Sequence, residues 1–200
     1  NCGKPVRDMA VEIREEDGTP LPEKAIGKVW CKGPSLMTGY FRDPESTAAC
    51  MADGWLDTGD MGYISEGYVY IVGRAKDMII VNGRNHWPQD IEWAAQAAAP
   101  HRCGRACAFS VGGAGDEKTI MLLLECRTRD PKLLREIETA VSAAIRLEVG
   151  VPVQLMLVPK STMIITSSGK LSRARVKQKF LDGAIIDLQK PTPLRAVGSA

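Results

Sequence analysis

Histidine and aromatic residues are scarce in this 200-residue chain: two His, and 6% Phe, Trp and Tyr together. So few aromatics leave no stacking platform of the kind single-stranded nucleic acid uses. A net charge of only +2 adds no global footprint for nucleic acid either, and none is expected as a partner. No apolar run approaches the roughly 18 residues of a spanning helix, so no transmembrane segment is expected. No basic-then-apolar leader is visible. The six cysteines (Cys2, Cys31, Cys50, Cys103, Cys107, Cys126) form no Cys-x-x-Cys pair. Cys103 and Cys107 come nearest, without a second ligand cluster. The expectation is therefore buried thiols in a reducing cytoplasm, with neither a metal site nor a disulfide framework.

What is present is the composition of a globular protein, 44% hydrophobic and 25% charged, with enough chain for a core. Charge is uneven. Lys160–Lys179 holds six Lys or Arg and no acid, which leaves the rest net acidic.

The first 75 residues read as β. Met9–Arg14 alternates, ends at an Asp17-Gly18 turn, and is followed by a strand at Gly27–Lys32. Asp43-Pro44-Glu45 signals a short helix, with Asp as N-cap and Pro in the first turn. Trp55–Asp57 and Tyr68–Val72 complete a meander, with a turn at Ser65-Glu66-Gly67. Beyond Lys76 the pattern changes. A short strand at Met78–Val81 precedes a helix from Pro88 to Ala98, with Asp90 and Glu92 in its first turns. Strands at Ala106–Val111 and Thr119–Cys126 flank a Gly-rich turn. Asp130-Pro131 caps a long helix whose apolar stripe is Leu134, Ile137, Val141 and Ala144. Val153–Val158 is a strand, a polar loop spans Ser161–Gly169, and a basic helix runs from about Ser172 to Leu181. The boundary between the halves is expected near Arg74–Asp77, giving units at 1–75 and 76–188. Residues 189–200 read as a tail or linker.

Four segments could carry chemistry. Asp57-Thr58-Gly59-Asp60 reads as a β-turn in which Asp60 could accept two hydrogen bonds from a vicinal diol such as ribose. Taken alone, it is an ordinary turn former. Gly73-Arg74-Ala75-Lys76-Asp77 joins the halves, either as a solvated linker or as a hinge with Arg74 against a nucleotide. Gly83–Glu92 combines a turn with a helix start. Thr166-Ser167-Ser168-Gly169-Lys170 is a flexible loop presenting one lysine, without the spacing of a Walker phosphate loop.

In this order, the four segments resemble the late motifs of the acyl-adenylate-forming (AMP-binding) superfamily, over roughly residues 1–185. Gly-Arg-Asn-His-Trp-Pro-Gln-Asp-Ile-Glu, Ser-Gly-Lys-Leu-Ser-Arg and Phe180-Leu181-Asp182-Gly183 look most like the fatty acyl-AMP ligase branch. The resemblance implies an α+β arrangement: the β-rich end of a large N-terminal domain, then a small, mobile α+β C-terminal domain. It implies that Asp60 holds the ribose, Arg74 contacts the nucleotide, Lys76 is the hinge and Lys170 is catalytic. The implied reaction activates a fatty acid with ATP and Mg²⁺, for transfer to an acyl carrier protein or the carrier domain of a polyketide synthase. The family's phosphate loop, adenine motif and acyl pocket would lie upstream of Asn1, along with most of the ATP and Mg²⁺ contacts. The isolated chain is therefore expected to be inactive. A fragment of a CoA-forming synthetase, or a non-catalytic docking module for a carrier protein, are the competing readings.

Overall fold

A computed structural model describes residues 1–112, 118–150 and 152–190. The chain divides into two compact units, Asn1–Met78 and Ile79 onward. The division falls one residue past the 3₁₀ turn Ala75–Asp77. Among the described residues no helix is long and apolar enough to cross a membrane.

The first unit is an antiparallel sheet. Its elements are β1 (Ala10–Arg14), β2 (Gly27–Lys32), α1 (Pro44–Cys50), β3 (Met51–Ala52), β4 (Trp55–Ser65) and β5 (Tyr68–Arg74). The strand order is β1-β2-β4-β3, with β5 also paired to β4. Ile13, Val29 and Val69 are its buried hydrophobic side chains among the described residues. Aromatic side chains add to so small a core: Tyr63 stacks on Tyr70 at 4.8 Å, and the Arg14 guanidinium lies over Trp30 at 5.0 Å and Trp55 at 4.4 Å. The Asp43 carboxylate accepts from the Ser46 amide at 2.9 Å, so α1 is capped as its sequence predicts.

Strand β4 runs far longer than expected. Trp55–Asp57 continues without a break to Ser65, so Asp57–Asp60 lies inside β4 and not at a β-turn. The turn chemistry survives as a bulge. Lys28 pairs with Met61 and Trp30 with Asp57, so three residues of β4, Thr58 to Asp60, face Val29 alone.

The second unit begins with the hairpin of β6 (Ile79–Val81) and β7 (Arg84–His86). Asn82 and Gly83 between them both have positive φ, 51° and 69°, the requirement of a two-residue hairpin turn. β7 was not expected from the sequence, because three residues are too few to show alternation. Then come α2 (Pro88–Ala98), β8 (Cys103–Val111), β9 (Thr119–Cys126), α3 (Pro131–Glu148), β10 (Val153–Pro159) and α4 (Arg173–Leu181). The sheet order is β10-β9-β8, with β9 and β10 parallel across α3 and β8 antiparallel to β9.

Strand alternation divides the core in two. Ala106, Ala108, Ile120, Leu122 and Leu124 pack with Ile91 and Ala95 of α2 and with α3 on one face. Cys107, Phe109, Met121 and Leu123 pack with Val176 and Phe180 of α4 on the other. The α3 stripe is Leu134, Ile137, Val141 and Ile145. Ile145 takes the place expected of Ala144, since the helix keeps its larger side chain against the sheet. Residues 113–117 of the expected Gly-rich turn, and residues 191–200 of the expected tail, lie outside the described residues. Leu188 belongs to the packed domain, its amide donating to Leu157 O at 2.8 Å.

The cysteine expectation holds in part. Cys103, Cys107 and Cys126 are buried, Cys31 and Cys50 half-buried, and Cys2 exposed.

Candidate functional site

Asp60 and Arg74 come from separate sequence segments, and the β4–β5 ladder pairs them directly. Arg74 Nε stands 2.9 Å from Asp60 Oδ1. The Asp60 side chain remains 30% exposed, so the carboxylate is anchored by the arginine and still open to a ligand. The bulge behind it is held by its own side chains. Thr58 Oγ1 donates to Val29 O at 2.9 Å and accepts from the Asp60 amide at 3.1 Å; Asp57 Oδ1 accepts from the Gly59 amide at 2.8 Å. Gly59 has φ of 70°, a left-handed conformation that costs a side chain about 1–2 kcal/mol. Asp57-Thr58-Gly59-Asp60 is thus a rigid, hydrogen-bonded kink that aims one carboxylate. Burial, and secondarily the Asp60 charge, push the Cys31 thiol up from its ordinary value.

Lys76 is exposed in the 3₁₀ turn that follows Arg74, two residues before the end of the first unit. That turn closes with the Met78 amide donating to Ala75 O at 3.3 Å.

Lys170 belongs to the second unit. Its loop is more ordered than a flexible, solvated one. The Thr166 amide donates to Lys170 O at 2.8 Å, and the Gly169 amide to Thr166 O at 2.9 Å. Thr166 Oγ1 accepts from the Lys170 amide and donates to Lys170 O, both at 3.1 Å. Ile165 bridges Leu171, and the Ser172 amide donates to Ile164 O at 2.9 Å. The result is a tight turn on which Lys170 is exposed, with no ion pair among the described residues. A fixed backbone carrying an unpaired lysine can deliver positive charge to an anion.

Sequence reasoning missed what holds this turn in place. Glu92, expected only as an acid near a helix start, is buried. Its Oε1 accepts from the Ala108 amide at 2.8 Å and from Arg173 Nη2 at 2.7 Å, while Arg173 Nε donates to Ala108 O at 2.9 Å. β8 is an edge strand, so Ala108 presents its amide and carbonyl outward. Glu92 and Arg173 satisfy both and tie α2 to α4 around the edge. Arg173 is three residues past Lys170. Glu125, buried in β9, likewise accepts from the Met163 amide at 2.9 Å, near the start of the same loop. A glutamate in a helix or strand pattern gives no sign of a partner 81 or 38 residues away.

Of the Gly83–Glu92 segment, His86 is half-buried with its Nε2 enclosed and unpartnered, and Gln89 Oε1 is enclosed likewise. Burial, and next the neighbouring Arg84, hold the His86 pKa below its ordinary value. Among the described residues no group of three or more His, Cys, Asp or Glu is placed to hold a metal ion. The described residues therefore offer no dedicated carboxylate cage for Mg²⁺.

No family model matches the chain. It is 43% identical over 93% of its length to a Caulobacter vibrioides protein that carries a provisional acyl-CoA synthetase name. It is 31% identical over 90% of its length to the long-chain fatty-acid–AMP ligase of Mycolicibacterium smegmatis. Among solved structures, a fatty acyl-adenylate ligase from a study of the Escherichia coli and Legionella pneumophila enzymes superposes with a TM-score of 0.80, at 41% identity over 92% of the chain. The chain spans only 33%, 35% and 32% of these three proteins.

Proposed function

Since the chain belongs to the acyl-adenylate-forming superfamily, we propose that it carries the ribose-binding carboxylate, the hinge and the catalytic lysine of an enzyme that activates a fatty acid with ATP. The observation that carries this reading is the Asp60–Arg74 pair at 2.9 Å on a rigid bulge. A fixed carboxylate accepts hydrogen bonds from both hydroxyls of a ribose, and the adjacent guanidinium adds positive charge beside a phosphate-bearing ligand.

The fatty carboxylate attacks the α-phosphorus of ATP and pyrophosphate leaves. A carboxylate is already an anionic nucleophile, so no general base is needed. Catalysis then comes from positioning and from neutralising charge as it builds on the phosphoryl oxygens. Lys170, exposed on its turn, supplies that charge. A rotation at Lys76 withdraws Lys170 once the acyl-adenylate has formed and exposes the intermediate to its acceptor. The acceptor is the thiol of an acyl carrier protein, in keeping with the motif wording of the fatty acyl-AMP ligase branch. Coenzyme A is the second reading, favoured by the synthetase name of the Caulobacter relative. Supplying each thiol in turn to pre-formed acyl-adenylate decides between them.

Asp60→Ala in the longer enzyme tests the nucleotide site. Losing a charged acceptor for the ribose weakens ATP binding by about 1.5–3 kcal/mol, read by calorimetry. Unchanged ATP affinity removes Asp60 from the site.

A further inference from the structure

Cys103 and Cys126 are 23 residues apart in sequence, yet they face each other as partners across β8 and β9. Just outside the pair, the Arg127 amide donates to Arg102 O at 3.0 Å. That bond marks Cys103–Cys126 as a non-hydrogen-bonded pair, the position at which opposing Cα atoms are about 4.5 Å apart and side chains closest. A disulfide needs roughly 4.4–6.8 Å between Cα atoms, so the backbone already meets its requirement. Both side chains lie on the same face of the sheet, in the core formed with α2 and α3. Cys107, only four residues from Cys103, lies on the opposite face.

The pair is buried but not sealed. Both cysteines line a cavity of about 470 Å³ together with Gln96, Arg105, Arg127 and Lys160. The Cys126 thiol donates to Leu124 O at 3.7 Å. Its closeness, and then the Arg127 and Arg102 charges, hold the Cys103 thiol below its ordinary range against the opposing effect of burial. Cys126 is pushed the other way by the adjoining Cys103 and by burial. The two arginines favour the thiolate, the nucleophilic form, at the Cys103 sulfur.

We propose that Cys103 and Cys126 form a reactive dithiol, a modification site at which a peroxide oxidant closes a disulfide across β8 and β9. The Cys103 thiolate attacks one peroxide oxygen, the O–O bond breaks, and hydroxide leaves and takes a proton to become water. This places a sulfenic acid on Cys103. The Cys126 sulfur then attacks the Cys103 sulfur. The S–O bond breaks, the S–S bond forms, and the departing hydroxide carries off the Cys126 proton as a second water. Two electrons pass from the thiols to one hydrogen peroxide. A dithiol reductant reverses the change.

The test is a thiol map of the 200-residue chain. The reduced protein, freed of reductant, is treated with hydrogen peroxide at neutral pH, denatured in iodoacetamide and digested without reduction. The expected result is a peptide pair joined through Cys103 and Cys126, with Cys107 recovered alkylated, and loss of the linkage after dithiothreitol. In Cys126→Ser, with its circular dichroism unchanged, Cys103 is trapped by dimedone as the sulfenic acid. Unfolding the wild-type protein in urea before oxidation abolishes the preference for this pair, a control that needs no variant. Recovery of Cys103 and Cys126 as alkylated thiols while the exposed Cys2 is consumed overturns the proposal. So does a Cys103 that links mainly to any other cysteine.

Discussion

Gly59 and His86 show how single positions serve the two units. At Gly59 the positive φ lets three residues of β4 fold back against Val29, and the bulge turns Asp60 toward Arg74. His86 is under a different constraint. Its buried Nε2 has no partner, and burial disfavours the imidazolium in the folded chain. The folded pKa is therefore lower than the unfolded value near 6.5. Below pH 6.5 the unfolded chain binds a proton that the folded chain refuses, so stability is full above that pH and falls as pH drops through it. Urea denaturation of wild type and His86→Gln between pH 8 and pH 5.5 checks this. The wild type loses more stability on acidification than the variant. Parallel pH profiles would show that His86 titrates alike in both states.

A buried ion pair ties α4 to α2. Glu92 and Arg173 have side-chain exposures of only 11% and 12%, and together they cap the edge of β8. Breaking such a pair leaves a buried charge and an unsatisfied backbone group, at a cost of about 3–5 kcal/mol. Arg173→Met lowers the unfolding free energy by an amount in that range. Glu92→Gln with Arg173→Met costs less than the two single changes summed, by about 1 kcal/mol or more, because the partners share one network. Additive losses would mean that the two act separately.

The same elements show what the sequence could and could not reveal. Helices α1, α2 and α3 were legible because Asp43-Pro44, Pro88 and Asp130-Pro131 are local start signals that act within one turn. The long strand β4 was not. Its Thr-Gly-Asp stretch carries turn residues, and only pairing to β2 and β5 makes it a bulged strand. The Asp60–Arg74 contact, the Glu92–Arg173 tie and the Cys103–Cys126 pairing all depend on register across strands or between layers. No local pattern records such contacts. Lys170 was visible as a loop lysine; the turn that fixes it rests on Thr166, whose bonds to Lys170 are set by chain reversal.

On the scale of the whole molecule, two compact units meet at residues 78 and 79. The proposed nucleotide residues Asp60 and Arg74 belong to the first, and Lys170 to the second. In the mechanism proposed above, the units cooperate during adenylation and then separate by rotation at Lys76. In that mechanism Lys170 supplies the charge for the chemical step. Lys170→Ala removes a surface lysine whose turn is held by Thr166 and backbone bonds, so folding survives. The measurement is ATP–pyrophosphate exchange with a fatty acid, in the longer enzyme that contains this chain, compared between wild type and Lys170→Ala. Loss of one preorganised charge donor lowers the exchange rate by about 10²–10³ with the circular dichroism unchanged. Exchange at the wild-type rate in the folded variant would contradict the account.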